Sequence, residues 1–202
     1  AYETLSQIAP VVAYPEAPYS TDWRETIRLD SKGMGMAEEG EALIKKIESD
    51  IAAALAGHPE LKGKSAMFIT HLNATDLSIV NFYTTNDTRV KYFADLGLTS
   101  PKSVVAASQP GKFSGSVSAE HVDSFDDVDI LVTYGGQKLL DALDANPLLS
   151  KMPAVANGSL VMLGNNPIGN AANPTPLSVS WVLKDYIALL SEAAKKSAKQ
   201  SK

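Results

Sequence analysis

Residues 38–55 read EEGEALIKKIESDIAAAL, and the fold turns on them. Leu43, Ile47, Ile51 and Leu55 recur every four residues, with Ile44 beside them. That spacing predicts one helix over residues 34–56 with a single apolar stripe. Glu41 and Lys45 form a favourable i,i+4 pair on another part of its surface. Gly57 and then Pro59 stop it. Some 20 residues at ~1.5 Å each make a rod of ~30 Å, about the diameter of a domain.

Downstream of this rod the pattern changes to short apolar runs alternating with helical ones. Residues 65–70 (SAMFIT), 77–84 (LSIVNFYT), 129–134 (DILVTY) and 160–163 (LVML) read as strands, and 103–106 as an edge strand. Asn86 or Asp87 caps a short helix that Gly97 ends, and Ser118 caps a short acidic one. Residues 137–143 continue as a helix, Asn157-Gly158 is a turn, and Thr175-Pro176 opens a terminal helix whose apolar face holds Leu183, Tyr186, Ile187 and Leu190. Strands alternating with helices predict an α/β three-layer lobe with a mostly parallel sheet. Ligands of such sheets sit beyond the carboxyl ends of strands, so the loops beginning at His71, Tyr134 and Gly164 are the ones to watch. Upstream, residues 1–32 read as extended and loop-rich, because Pro10, Pro15 and Pro18 interrupt them. The last residues, KKSAKQSK, are a polar tail.

Composition narrows the chemistry. The 202 residues hold 45% apolar side chains, enough for a core. Lys plus Arg is 18 against 23 Asp plus Glu, a net charge of −5, with no basic cluster on a foldable segment, so nucleic acid is not an expected partner. With no cysteine, zinc–thiolate sites, iron–sulfur clusters and thiol catalysis are excluded. The three histidines, His58, His71 and His121, show no metal-ligand spacing, so no metal site is expected. GHPELKGKS (57–65) has one residue too many between its glycines for a phosphate-binding loop and precedes a strand instead of following one. GKFSG (111–115) carries its Ser one place late for a nucleophile elbow. GNNPIGNAANPTP (164–176) is longer than a plain connection needs, and its amide side chains suit hydrogen bonding to a polar ligand.

Segment order then carries a resemblance. YETLSQIAPVV (2–12), STDWRET (20–26) and the long helix come first. NDTRVKYFADLGL (86–98), SVSAEHVDSFDDVDILVTY (116–134), NPLLSKMPAVANGSLVML (146–163) and a PLS-headed last helix come after it. Together they resemble the iron-siderophore type of substrate-binding protein that serves ABC importers, a family that also takes haem and cobalamin. The resemblance implies two α/β lobes joined by one long helix, with ligand in the cleft between them. It divides the chain into 1–32, the remnant of an amino-terminal lobe otherwise missing; 33–57, the inter-lobe helix; 58–195, the carboxyl-terminal lobe; and 196–202, the tail.

The same resemblance implies an extracytoplasmic binding protein, periplasmic or lipid-anchored, with no catalytic residues and no cofactor. Its partners are an iron complex, typically a ferric siderophore, and a membrane permease. The family docks on its permease through a glutamate on each lobe, and Glu120 holds the matching position. Strand-end position together with the resemblance makes Asn73, Tyr83, Arg89, Phe113, Tyr134 and Asn165 the cleft candidates. Arg89 would answer the charge of an anionic siderophore, and the three aromatic rings would offer flat contact area. Arg89 falls in the first turn of its helix, where the helix dipole disfavours it, which points to a reason other than helix stability. The alternative is an α/β enzyme lobe, a hydrolase or a subunit of a metal-dependent enzyme.

Overall fold

A computed structural model describes residues 1–15, 17, 19–164 and 166–197. The short helix α1 (Tyr2–Ser6) is followed by α2 (Trp23–Gly33) and α3 (Ala37–Leu55). Then come β1 (Ala66–His71), β2 (Ile79–Tyr83), α4 (Thr88–Asp95), α5 (Lys102–Ala107) and β3 (Ser114–Ser118). After a 3-10 segment, Ala119–Phe125, the chain continues through β4 (Ile130–Tyr134), α6 (Gln137–Ala145), α7 (Pro153–Ala156), β5 (Leu160–Met162), α8 (Pro167–Ala171) and α9 (Pro176–Ser197).

The strands form one sheet in the order β3-β2-β1-β4-β5. β1, β4 and β5 pair in parallel. β2 runs against β1 and β3 runs against β2, so β3 points the same way as β1. Four of the five strands therefore share one direction, as expected, and β2 alone is reversed. The first four residues of both β1 and β4 are buried in succession. A strand buried at every position has both faces covered, which makes the lobe a helix–sheet–helix sandwich. α4 packs against β1, α5 against β3, and α9 against β4 and β5.

The long helix occurs where its periodicity places it, but its stripe is turned. Gly40, Ile44, Ile47 and Ile51 are its buried residues, whereas Leu43 is 42% exposed. The cause is α2, which packs on the Gly40 side. A side chain at Gly40 would run into Ser31, so glycine lets the two helices approach. Glu41 pairs with Arg28 of α2 at 2.7 Å instead of with Lys45, while Lys46 and Asp50 supply the i,i+4 pair.

Two expectations for local structure were wrong. Residues 23–33 are a helix, not extended chain. All three prolines precede Asp22, whose side chain caps α2 by accepting the Glu25 N–H at 2.9 Å, and Trp23, Ile27 and Ser31 then bury one face. Residues 102–107 are a helix, not an edge strand, because Pro101 starts a turn that buries Val104 and leaves Val105 exposed. The edge strand is instead β3, sequence SGSVS, which has no apolar period to reveal it. Gly115 makes its place: a Cβ there would lie 2.7 Å from Ala107 and 2.8 Å from Phe82.

Candidate functional site

Parallel pairing sets His71 opposite Tyr134, after a bulge in β1, at the carboxyl ends of the two central strands. Their rings stack with centroids 5.1 Å apart and 20° between planes. Beneath them Phe68 is fully buried, with its ring 5.2 Å from Tyr134 and 5.6 Å from Tyr83. β1, β2 and β4 thus hold four aromatic rings, Phe68, His71, Tyr83 and Tyr134, around one point.

Arg89 enters that point from the first turn of α4. Its guanidinium carbon lies 4.0 Å from the centre of the Tyr83 ring, a cation–π contact. Its Nε donates to the Tyr134 hydroxyl at 3.3 Å. Its Nη1 donates to both oxygens of Asp87, at 2.8 and 3.0 Å. The Arg89 side chain is 12% exposed and that of Asp87 2%. Asp87 is also the N-cap of α4, accepting the Arg89 backbone N–H at 2.9 Å. Of the two cap candidates the structure uses Asp87, while Asn86 donates to the carbonyls of Gln109 and Lys112.

Burial pushes the Asp87 carboxyl above its ordinary value, and the Arg89 charge pulls the other way. For Arg89 burial is the largest single influence and works against the charge, but Asp87, Tyr134 and Tyr83 together outweigh it and the guanidinium is held more firmly protonated than usual. Desolvation raises the Tyr83 phenol, so it stays neutral. The cleft cation is therefore neutralised where it stands. Arg89, expected from the sequence to answer the charge of an anionic siderophore, thus carries its own counter-charge.

The remaining wall comes from the segment after β5. Gly164, Gly169, Asn170 and Asn173 close a hollow of about 300 Å³ against His71, Tyr83, Arg89 and Tyr134. Asn166 caps α8 by accepting the Gly169 N–H at 2.9 Å. Asn173 accepts the Thr88 hydroxyl at 3.1 Å, which ties this segment to α4. A Cβ on Gly169 would come 2.8 Å from the Gly164 carbonyl, so the turn closes only on glycine. A larger hollow of about 590 Å³ lies between α5, β3 and the segment Ala119–Phe125, lined by Lys102 and acidic residues. It sits on the outer edge of the sheet, away from the ends of the central strands, and Phe82 is the one aromatic side chain among its described lining, so the smaller hollow is the candidate site.

Of the six cleft candidates, the structure brings together Tyr83, Arg89 and Tyr134. Phe113 is half-buried in a separate recess with Asn86, Lys91 and Pro110. Its carbonyl accepts the Thr84 N–H at 2.9 Å, which fixes it beside the end of β2. Asn73 is not in the hollow. It lies in the loop between β1 and β2, where its side chain accepts from the Thr75 N–H and hydroxyl at 3.0 and 2.8 Å. Asn165 lies outside the described residues. At its strand end His71 reads from the sequence as a side chain that could touch a ligand, though more readily as a solvated loop histidine, and it is not among the six candidates; β4 laid beside it brings its ring into the hollow. Sequence reasoning also left Asn170 and Asn173 unnamed inside the segment it singled out, and their amide-rich composition was the available signal.

Glu120 is exposed in the first turn of the segment Ala119–Phe125, and its N–H donates to the Ser118 hydroxyl at 3.3 Å. β3 ends there, at the same end of the sheet as His71. Among the described residues no group of three or more His, Cys, Asp or Glu could hold a metal ion. No helix among them is long and apolar enough to cross a membrane.

The sequence profile of a family described as periplasmic binding protein matches residues 1–167. PiaA of Streptococcus pneumoniae TIGR4, in its crystal structure with ferrichrome, is 42% identical with a TM-score of 0.89; the match covers 96% of this chain and 66% of that one. A second PiaA structure, described as an iron uptake ABC transporter substrate-binding protein, is 41% identical with a TM-score of 0.87, over 96% of this chain and 67% of that one. FhuD of Vibrio cholerae, bound to Fe3+-Desferal, is 17% identical with a TM-score of 0.65, over 95% of this chain and 70% of its own, a likeness of fold alone. No curated protein sequence matches. The chain spans about two thirds of the length of the PiaA structures.

Proposed function

Because the chain belongs to the periplasmic binding protein family, we propose that it forms the greater part of the extracytoplasmic substrate-binding component of an ABC importer for ferric siderophores. The observation that carries this reading is the cleft at the strand ends, where Arg89 lies on Tyr83 and donates to Tyr134. Aromatic walls with one anchored donor suit a bulky iron complex whose surface is apolar carbon and carbonyl oxygen. The 42% identity to PiaA, a protein whose structure contains ferrichrome, supports the same ligand class.

In this reading Tyr83 and Tyr134 supply flat contact area, Arg89 supplies hydrogen bonds, and Phe113 stands at the margin. Residues 33–57 are the inter-lobe helix, residues 58–195 one lobe and residues 1–32 a part of the other. Glu120 meets an arginine of the permease. A carboxylate beside a helical start stays ionised, and it accepts a guanidinium through both oxygens. The protein does no chemistry. Among the described residues lining the cleft, His71 is the one imidazole and none is a carboxylate, and the His71 ring is stacked on Tyr134. We therefore prefer the binding protein to the enzyme lobe.

Calorimetric titration of the full-length protein with ferrichrome, a ferric triscatecholate, ferric citrate and haem tests the proposal. Saturable binding of ferrichrome is expected. Absence of binding with every one of the four overturns it.

A further inference from the structure

Among the described residues that line the cleft, Arg89 is the one permanent cation. It is held by Asp87, which is almost wholly buried and touches the guanidinium through both oxygens. Helix capping alone does not explain an aspartate here. Asparagine caps a helix as well as aspartate does, but it cannot cancel a charge. A buried pair also costs desolvation on both sides and is a poor way to gain stability.

We propose that Asp87 is the charge-selectivity determinant of this site: by cancelling Arg89 it keeps this wall of the cleft electrically neutral, so that uncharged iron complexes are accepted over anionic ones. The inference rests on the cleft reading above. Iron(III) bound by three hydroxamates, each with one negative charge, is neutral. Bound by three catecholates, each with two, it carries a triple negative charge. An anionic complex seated against Arg89 would feel the guanidinium and the carboxylate behind it with opposite sign, and at similar short range the two largely cancel. A neutral complex needs only donors. Nε and Nη1 of Arg89 are engaged within the protein, whereas Nη2 has no hydrogen-bond partner among the described residues. Tyr83, covering one face of the guanidinium, keeps that donor oriented.

The test compares full-length wild type with Asp87→Asn, which preserves the cap and the volume. The readout is the ratio of affinities for a ferric triscatecholate and for ferrichrome, measured by calorimetry. The substitution is expected to raise that ratio by about tenfold or more, because one uncompensated charge now faces the ligand. Adding Arg89→Gln to the same chain should return the ratio to within about threefold of wild type, because the freed charge is gone. A variant that binds ferrichrome with an unchanged ratio overturns the role of Asp87 and leaves the cleft reading standing. A wild type that binds neither complex overturns the cleft reading, and the inference with it. A salt series on the wild type needs no variant. Triscatecholate affinity that stays flat or falls as salt is lowered supports a neutral wall, and affinity that climbs steeply overturns it.

Discussion

The indole Nε1 of Trp23 donates to Oδ2 of Asp95 at 2.9 Å, across 72 positions of sequence. It ties the start of α2 to the end of α4. Arg24 closes the same knot, donating to Asp95 at 2.9 Å and to Glu48 of α3 at 2.7 Å. Trp23 is 1% exposed. Truncating a buried aromatic of this size costs about 3–5 kcal/mol. Trp23→Ala is expected to lower unfolding stability by that much in urea titration. Trp23→Phe keeps most of the burial and loses one hydrogen bond, with Asp95 still paired to Arg24, so about 1 kcal/mol is expected.

Arg89→Gln should weaken ferrichrome binding by about tenfold to a hundredfold, the cost of losing a charged hydrogen-bonding group at a contact. Asn73→Ala should leave it unchanged, because Asn73 spends its side chain on its own loop. Calorimetry on the two variants separates the strand-end candidate inside the hollow from the one outside it. Equal losses would show that the ligand reaches the loop between β1 and β2.

Glu120→Arg should preserve ligand affinity and lower siderophore uptake by cells. The residue is exposed and lies beyond β3, which is separated from β1 by β2. Reversing its charge repels an arginine on the permease. Uptake equal to wild type in a radio-iron assay would remove Glu120 from the docking surface.

Glu60 gives the stability a dependence on acid. The Ser191 hydroxyl, then its own backbone N–H and His58, lower the Glu60 carboxyl from 4.5 to about 2. The folded value lies below the unfolded one, so the ionised form favours folding. That contribution is complete above pH 4.5 and is lost as pH falls toward 2. Ser191→Ala removes the largest cause. Urea midpoints followed from pH 6 to pH 2 should fall less steeply in the variant than in the wild type. Parallel curves would show that the hydroxyl does not set this carboxyl.

Legibility tracked how much each element depends on partners distant in sequence. β1 and β4 were readable because a strand covered on both faces is apolar throughout, whatever lies beside it. β3 was not, because SGSVS owes its place to Gly115 admitting Phe82 and Ala107. α2 was missed although Asp22 is a good cap and Trp23, Ile27 and Ser31 share a face. They follow directly on the proline-rich chain, and the surface that α2 covers comes from α3 and α9, which lie later in the sequence. In the site, Tyr83, Arg89 and Tyr134 could be named from strand ends and helix start together with the family resemblance. The unfavourable place of Arg89 in the first helical turn was itself a signal. Its compensation by Asp87, only two residues away, was equally open to inspection but went unread.

By itself the sequence determined the class of fold, the long helix, four of the five strands and the end of the sheet where a ligand is expected. These depend on period and polarity, which are properties of neighbours in the chain. Only the tertiary structure decided which face α3 buries, that His71 stacks on Tyr134, that Asn73 stays outside the hollow, and that Arg89 lines the hollow already paired with Asp87. Each of those turns on distances of a few ångströms between side chains whose separation is set by packing and not by the spacing of letters.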